Sequence, residues 1–363
     1  MDPNLSECDS VVGLAKKILE KDEKRIAICG WAFNGSGGDC RVMEQQARDL
    51  VKAGYEVTIF ALEADLKPPE GAELIVIGCP QNFYLSRIYR LMFPLNIFKV
   101  LEYAKKLGKF NLVIAHRYPA TSLAYLAKKL YGVKYVYWFH YYPNVSLFSN
   151  PVHRLWLRII RYLEVKALSV RGADVVCSVS KASAKILKEK GRLDSIVVPN
   201  KADIGRFKRK AEISKLRNKY GIKQNERIIL FVGRITPQKN IHSLIQVFKS
   251  VNQIIPNLKL IIVGNPSVKE YFEKLKELAN ENVIFTGYVP DEELSGFYSI
   301  CDVYATCSLS EGWNLPPAEA QSFGKPVIAF NTPEQREVVR KGYLVEPENY
   351  EEFKEKLIEV LNR

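Results

Sequence analysis

The chain has 363 residues, 47% of them hydrophobic and 26% charged, which is enough apolar content for two cored domains and excludes wholesale disorder. Its 53 Lys and Arg exceed its 40 Asp and Glu, a formal net charge of +13 that favours a phosphorylated ligand, an anionic membrane surface or nucleic acid. Neither zinc-finger spacing nor an RNP-like aromatic motif occurs, so nucleic acid is not an expected partner.

The N-terminal stretch MDPNLSECDSVVGLAKKILEKDEKR lacks the apolar core of a signal peptide. From residue 24, apolar runs alternate with amphipathic ones. KRIAICGWAF (24–33), YEVTIFAL, AELIVIGC, FNLVIAHR, KYVYWFHYY, ADVVCSVS and SIVVPN predict strands. A helical pattern, DCRVMEQQARDLVKAG, follows the first of them. A second series begins near residue 226 with ERIILFVGR, LKLIIVGN, NVIFTGYV, DVYATCS, KPVIAF and YLVEP, and IHSLIQVFKSVNQII, PSVKEYFEKLKELAN and DEELSGFYSI are helices between them. The strand runs are apolar almost throughout, the pattern of parallel strands covered on both faces. NKADIGRFKRKAEISKLRNKYGIKQN, between the series, reads as a linker with a peripheral helix, and RFKRK (206–210) reads as a solvated face. The expectation is two doubly wound α/β domains, residues 1–200 and 201–363. No run reaches the roughly eighteen apolar residues of a spanning helix. Seven Cys, an odd number without CxxC, suggest a reducing compartment.

One segment, EGWNLPPAEA (311–320), carries two carboxylates, Glu311 and Glu319, separated by a stretch that cannot be one helix. Proline is tolerated in a first helical turn, so PPAEAQSFGKP predicts a short helix from Pro316 or Pro317, closed by Gly324. Glu319 then falls in its first turn, near the positive end of the helix, and Glu311 in the loop before it. Arg234 and Lys239 follow the strand ILFVGR. GSGG (35–38) is a flexible loop and not a complete dinucleotide fingerprint. His140 ends KYVYWFH and His116 follows FNLVIA; both are strand-end candidates, with His116 given less weight, while His153 and His242 look peripheral.

SLSEGWNLPPAEAQSFGKPVIAFN resembles the signature of retaining glycosyltransferases of family four (glycosyl transferases group 1), which have the GT-B fold. FVGRITPQKNIHSLIQVF, IIVGNP, VIFTGYVPDEELSGFYSICDVYATCS and GYLVEPEN follow the family order, GSGGDCRVMEQQARDLVKAGYEV resembles its Gly-rich loop and helix, and VSKAS and VVPNKADIGRF resemble its segments near the domain junction. The resemblance implies two Rossmann-like domains facing across a cleft, the first binding the acceptor and the second the nucleotide-sugar donor. It implies a retaining, metal-independent hexosyltransferase acting on a UDP- or GDP-sugar, without a cofactor. Arg234 and Lys239 would contact the diphosphate, with Gly233 beside them. Glu311 would face the transferred sugar and Glu319 would bind the ribose. Amides near Asn314 and Leu315 would reach sugar or phosphate oxygens, Tyr288 and Val289 would lie near the base, and Gly37 and Gly38 would let the backbone approach the donor. His140 would contact the donor sugar and help support positive charge at the anomeric carbon. The favoured mechanism is same-face attack with the leaving phosphate taking the acceptor proton; Glu311 as covalent nucleophile is the alternative.

The sequence departs from the pattern at Asn314, where a second Gly is usual, and at Lys201, where Gly is common. The chain also stops at EFKEKLIEVLNR, where many relatives add a segment that crosses back onto the first domain. The acceptor, a glycan, a lipid-linked group or another hydroxyl, is poorly encoded. SRIYRLMFPLNIFKVLEYAKKLGK (86–109) and VHRLWLRIIRYLEVKAL (152–168) are basic and apolar. Each is either a membrane-surface element or a buried helix with snorkelling cations. A cytoplasmic enzyme, peripheral on the inner face of a membrane, is one expectation. The competing functions are a GT-B-type sugar-nucleotide epimerase or phosphorylase and a non-catalytic sugar-nucleotide or membrane-binding protein.

Overall fold

The computed structural model describes residues 8–35, 37–207 and 211–363. Ser36 of the GSGG loop and the last three residues of RFKRK lie outside the described residues. The chain divides into two compact units, Met1–Asn200 and Lys201–Arg363.

The first unit contains β1 (Arg25–Phe33), β2 (Glu56–Ala64), β3 (Ala72–Val76), β4 (Leu112–His116), β5 (Lys134–Phe139), β6 (Val175–Ser178) and β7 (Ile196–Val197). Its helices are α1 (Val11–Ile18), α2 (Gly38–Lys52), α3 (Phe83–Met92), α4 (Ile97–Leu107), α5 (Ala120–Tyr131), α6 (Pro151–Val165), α7 (Leu168–Arg171) and α8 (Lys181–Gly191). The strands form one parallel sheet in the order β3-β2-β1-β4-β5-β6-β7.

The second unit contains α9 (Ile213–Lys219), β8 (Arg227–Val232), α10 (Ile241–Asn252), β9 (Leu258–Val263), α11 (Lys269–Leu278), β10 (Val283–Gly287), α12 (Asp291–Ile300) and β11 (Val303–Thr306). It continues with α13 (Leu315–Ser322), β12 (Val327–Phe330), α14 (Pro333–Val338), β13 (Gly342–Val345) and α15 (Tyr350–Leu361). Its parallel sheet runs β10-β9-β8-β11-β12-β13.

The second sheet shows why its strands read as unbroken apolar runs. Successive side chains of a strand point to opposite faces. Ile229 and Phe231 of β8 pack with Leu260 and Phe353 in one buried cluster, while Ile228 and Leu230 pack with Ile261 and Tyr304 in another. Both faces are covered, so both alternating sets must be apolar.

The segment 200–225 is more than a linker. Phe207, Leu216 and Ile222 are buried in the second unit's core, where Phe207 meets Tyr298 and Phe323 edge-on. The apolar residues are spaced too widely among charges for a periodic signal to stand out.

Each sheet reverses its winding once. The chain lays β2 and β3 to one side of β1 and then crosses to β4 on the other; likewise β9 and β10 lie to one side of β8 and β11 to the other. Loops leaving the carboxyl ends of the two strands at such a switch diverge and leave a crevice between them. Those are the loops that carry the motifs singled out above.

Candidate functional site

In the second unit the switch lies between β8 and β11. After β8 the chain runs through Gly233 and Arg234 into a 3-10 turn, Pro237–Lys239, and Asn240 enters α10 with a left-handed φ of 50°. Gly264, at the end of β9, has φ 141°, and a Cβ there would sit 2.0 Å from the Gly233 carbonyl oxygen, so this close approach of two strand ends requires glycine. After β11 a loop leads to α13. The two switch loops are stitched together: Leu309 N donates to the Gln238 carbonyl at 3.0 Å, and the Gln238 amide donates to the Ser310 carbonyl.

This stitching holds Lys239 Nζ 2.5 Å from Glu311 Oε1 and 3.4 Å from Asn314 Oδ1. The pair is largely withdrawn from water, with side-chain exposures of 14% and 9%. Arg234 is exposed and makes no ion pair with a described residue. One cation is therefore counterbalanced and the other available. Asn314 sits at φ 59° at the start of α13, which opens on Leu315 with prolines next. A helix leaves its first N–H groups without internal partners. Pro316 and Pro317 have no N–H, so Asn314 and Leu315 carry the orphan donors of this end. Asn314 Nδ2 and Trp313 Nε1 are also buried without a partner. Buried donors normally find an acceptor. Lys239 thus lies beside Asn314, at a helix end whose first N–H groups are unpaired among the described residues, which suits a ligand rich in oxygens and negative charge.

Glu319 is placed differently from the sequence expectation. The helix starts at Leu315, one or two residues before the predicted Pro316 or Pro317, so Glu319 lies in the second turn, and no acidic residue occupies the first. Its charge is met by side chains and not by the helix end. Arg206 Nη2 lies 2.7 Å from Oε1, and the Tyr298 hydroxyl donates to Oε2 at 2.7 Å. Arg206 also reaches Asp291 at 3.2 Å. Burial, then the carboxylate of Glu319, pushes the Tyr298 phenol well above its usual range, so it stays a donor. Arg206 is thus no part of a solvated face; it is buried between two carboxylates. Tyr288 is exposed, with its amide donating to Asn265 Oδ1 at 3.0 Å, while Val289 is buried in the core.

In the first unit, the loop after β1 enters α2 at Gly37, and a Cβ on Gly37 would come within 2.8 Å of Asp39 Oδ1. A Cβ on Gly38 would meet nothing within 4 Å, leaving open space beside the backbone. His116 ends β4 and His140 follows β5, the neighbouring strand. His116 Nδ1 lies 2.6 Å from His140 Nε2, and His116 Nε2 lies 2.9 Å from Gln46 Oε1 of α2. Arg117, next in the chain, bridges Asp39 at 3.3 Å and Glu164 at 3.2 Å.

Burial lowers His116 well below its usual range and His140 from 6.5 to about 4. Both imidazoles are neutral at neutral pH. Because the folded pKa values are depressed, the unfolded chain binds more protons below pH 6.5, and stability falls as pH drops towards 4. We expect an acid-side loss of a few kcal/mol, roughly 1.4 kcal/mol per unit of pKa difference. In urea titrations between pH 7 and pH 4, His140→Gln should flatten this loss; an unchanged slope would contradict a buried neutral His140.

Lys239, Glu311 and Asn314, predicted from sequence, are brought into contact, and Leu315 opens the adjoining helix. Glu319 is instead engaged with Arg206 and Tyr298. Sequence reasoning passed over Arg206, Tyr298 and Gln46 and underweighted His116. The available signal for Gln46 was a polar residue on the helix face that also carries Met43, Ala47 and Leu50, all buried.

Two family descriptions match the chain in succession. Glycosyltransferase Family 4 matches residues 36–206, and Glycosyl transferases group 1 matches residues 212–363. With two Rossmann-like parallel-sheet units, the chain is a glycosyltransferase of the GT-B fold. It is 28% identical over 305 residues to the alpha-monoglucosyldiacylglycerol synthase of Streptococcus pneumoniae, an alignment covering 78% of this chain and 66% of that protein. Among solved structures it is similar to sucrose-phosphate synthase from Thermosynechococcus elongatus, with a TM-score of 0.73, 20% identity and coverage of 94% and 90%. It is also similar to Anabaena HepE in complex with UDP-glucose, with a TM-score of 0.69, 20% identity and coverage of 93% and 89%.

Proposed function

We propose that the protein is a retaining hexosyltransferase that uses a nucleotide-diphosphate sugar, with UDP-glucose the first donor to test. The observation that carries this reading is the Lys239–Glu311 contact at a topological switch, next to the orphan donors of Asn314 and Leu315, with Arg234, in the same loop, exposed and without an ion pair among the described residues. The departing diphosphate gains negative charge as the C1–O bond to phosphate breaks, and two cations with oriented amides stabilise it. The acceptor oxygen bonds to C1 on the same face, and its proton passes to the leaving phosphate oxygen. In the free protein Glu311 holds Lys239 in place; with donor bound, Lys239 turns towards the phosphate and Glu311 towards the sugar. His140 contacts the donor sugar as a neutral group, Glu319 contacts the ribose, and Gly37 and Gly38 admit the donor. The reaction needs no metal. The UDP-glucose complex of the HepE neighbour supports the donor class. A panel of UDP- and GDP-sugars, assayed for hydrolysis and transfer in excess chelator, tests it. One donor should be consumed with retention at the anomeric carbon, read from the product's anomeric proton coupling. Inversion, or abolition by chelator, would contradict the mechanism.

The acceptor is lipid-linked and reached from an anionic membrane surface, with the protein cytoplasmic and peripheral. No described helix is long and apolar enough to cross a membrane. Instead, Leu85, Ile88, Met92, Leu95, Ile97 and Phe98 all stand exposed along α3, α4 and the turn between them, Phe98 at 90%. The opposite side of α4, with Val100, Tyr103, Ala104 and Leu107, fills the core. Arg87 of α3 stacks over Trp156 of α6, whose own Val152, Leu155 and Tyr162 are exposed. Lys105, Lys109, Arg158 and Lys166 are exposed on the same helices or close beside them. An apolar strip flanked by cations fits an anionic lipid interface. Binding to vesicles with about one-third phosphatidylglycerol should weaken as salt rises, and Phe98→Asp should reduce it several-fold without unfolding the protein. Equal binding to neutral vesicles, or no effect of Phe98→Asp, would contradict the surface.

A further inference from the structure

The neutral imidazole has one N–H and one lone pair, so a chain of two imidazoles and an amide can hold its protons in only two ways. Gln46 decides between them. Its Oε1 faces His116 Nε2 at 2.9 Å, and a carbonyl oxygen only accepts, so His116 carries its proton on Nε2. His116 Nδ1 is then a bare acceptor 2.6 Å from His140 Nε2, which must donate. His140 is left with an unprotonated Nδ1 that has no partner among the described residues. Gln46, His116 and His140 are all buried, His116 at 1% exposure, and Trp138 stacks against His116 with ring centres 6.0 Å apart. Water has little room to substitute for a missing bond.

We propose that Gln46 is a positioning residue for the transfer reaction: through His116 it fixes the tautomer of His140, which therefore presents an acceptor, not a donor, at Nδ1. This rests on the reading of His140 as a contact to the donor sugar. It makes the preferred partner of Nδ1 a sugar hydroxyl, whose O–H donates, and disfavours a group that can only accept. Gln46 Nε2 has no partner although it is buried, so the amide's other end does not explain why a polar side chain stands on this face of α2. The charged groups around the pair are Asp39 of α2 and Arg117 after β4, themselves ion-paired, with Glu164 of α6 on the far side of Arg117. The Ser183 hydroxyl of α8 donates to the His140 carbonyl at 3.5 Å and leaves the ring free.

The sequence has four histidines, so long-range 1H–15N spectra of histidine-labelled full chain can report each tautomer. His116 and His140 should both be protonated on Nε2 in the parent. Gln46→Met removes the acceptor and should populate Nδ1–H at His140. Gln46→Glu keeps an acceptor at the same reach and should retain the parent pattern. Transfer should fall about tenfold in Gln46→Met, the worth of one hydrogen bond, and recover in Gln46→Glu. Nδ1–H at His140 in the parent, or unchanged tautomers in Gln46→Met, would overturn the proposal. If the tautomers respond as expected but His140→Ala leaves transfer intact, the role of His140 in the reaction falls while the proton arrangement stands.

Discussion

Replacing Lys239 with Met is expected to lower kcat/KM for transfer by about two to three orders of magnitude, the usual effect of removing one group that stabilises developing charge. The single variant has a second consequence. It strands Glu311, which is 8% exposed, without its ion-pair partner. Breaking a buried pair from one side costs about 3–5 kcal/mol. The rate and the fold would then both suffer, and the rate alone would prove little. The double variant Lys239→Met/Glu311→Gln separates them, because a neutral amide replaces the stranded charge. Its thermal midpoint should return towards the parent while its transfer rate stays low. Recovery of the rate with the stability would show that Lys239 serves only to neutralise Glu311. Affinity for free UDP, measured by titration, should fall in both variants, since the diphosphate meets the same cation.

Arg206→Ala should be strongly destabilising, at about 3–5 kcal/mol, comparable to the loss of Lys239. Its guanidinium is 7% exposed and spans Glu319 and Asp291, so its loss leaves Glu319 with only the Tyr298 hydroxyl. Lys215→Ala is the appropriate comparison: that amine is 79% exposed beside Glu212, and surface changes of this kind stay within about 0.5 kcal/mol. Urea titration of both variants checks the contrast. Equal stability of the two would mean that the Arg206 network contributes nothing to the fold. Arg206→Lys should fall between them, because a point charge cannot bridge two carboxylates as a planar fork does.

The strands were legible because doubly covered parallel strands must be apolar on both faces, and all thirteen arise from the runs that predict them. Lys239 and Glu311 were legible for a different reason. They flank strand ends in short, glycine- and proline-marked loops, and it is the family resemblance of those loops that singles them out. Arg206 was not legible, because a basic run looks the same whether one member is buried or none is. Its partners Glu319 and Asp291 lie 113 and 85 residues away, so nothing local announces the pairing. The start of α13 is a smaller case of the same kind. Two prolines mark a helix N-terminus, but the left-handed Asn314 sets where it begins, and that shift carried Glu319 out of the first turn. His116 and Gln46 acquire meaning only together, across 70 residues and between a strand and a helix.

The most direct measurement is diffraction from crystals of the protein grown with a non-hydrolysable analogue of whichever nucleotide sugar shifts its melting temperature most. The diphosphate is expected within about 3 Å of Arg234 and Lys239 and at the amides of Asn314 and Leu315, with the Lys239–Glu311 contact loosened. A diphosphate bound elsewhere in the chain, or no thermal shift with any UDP- or GDP-sugar at millimolar concentration, would contradict the assignment of the β8–β11 switch as the donor site.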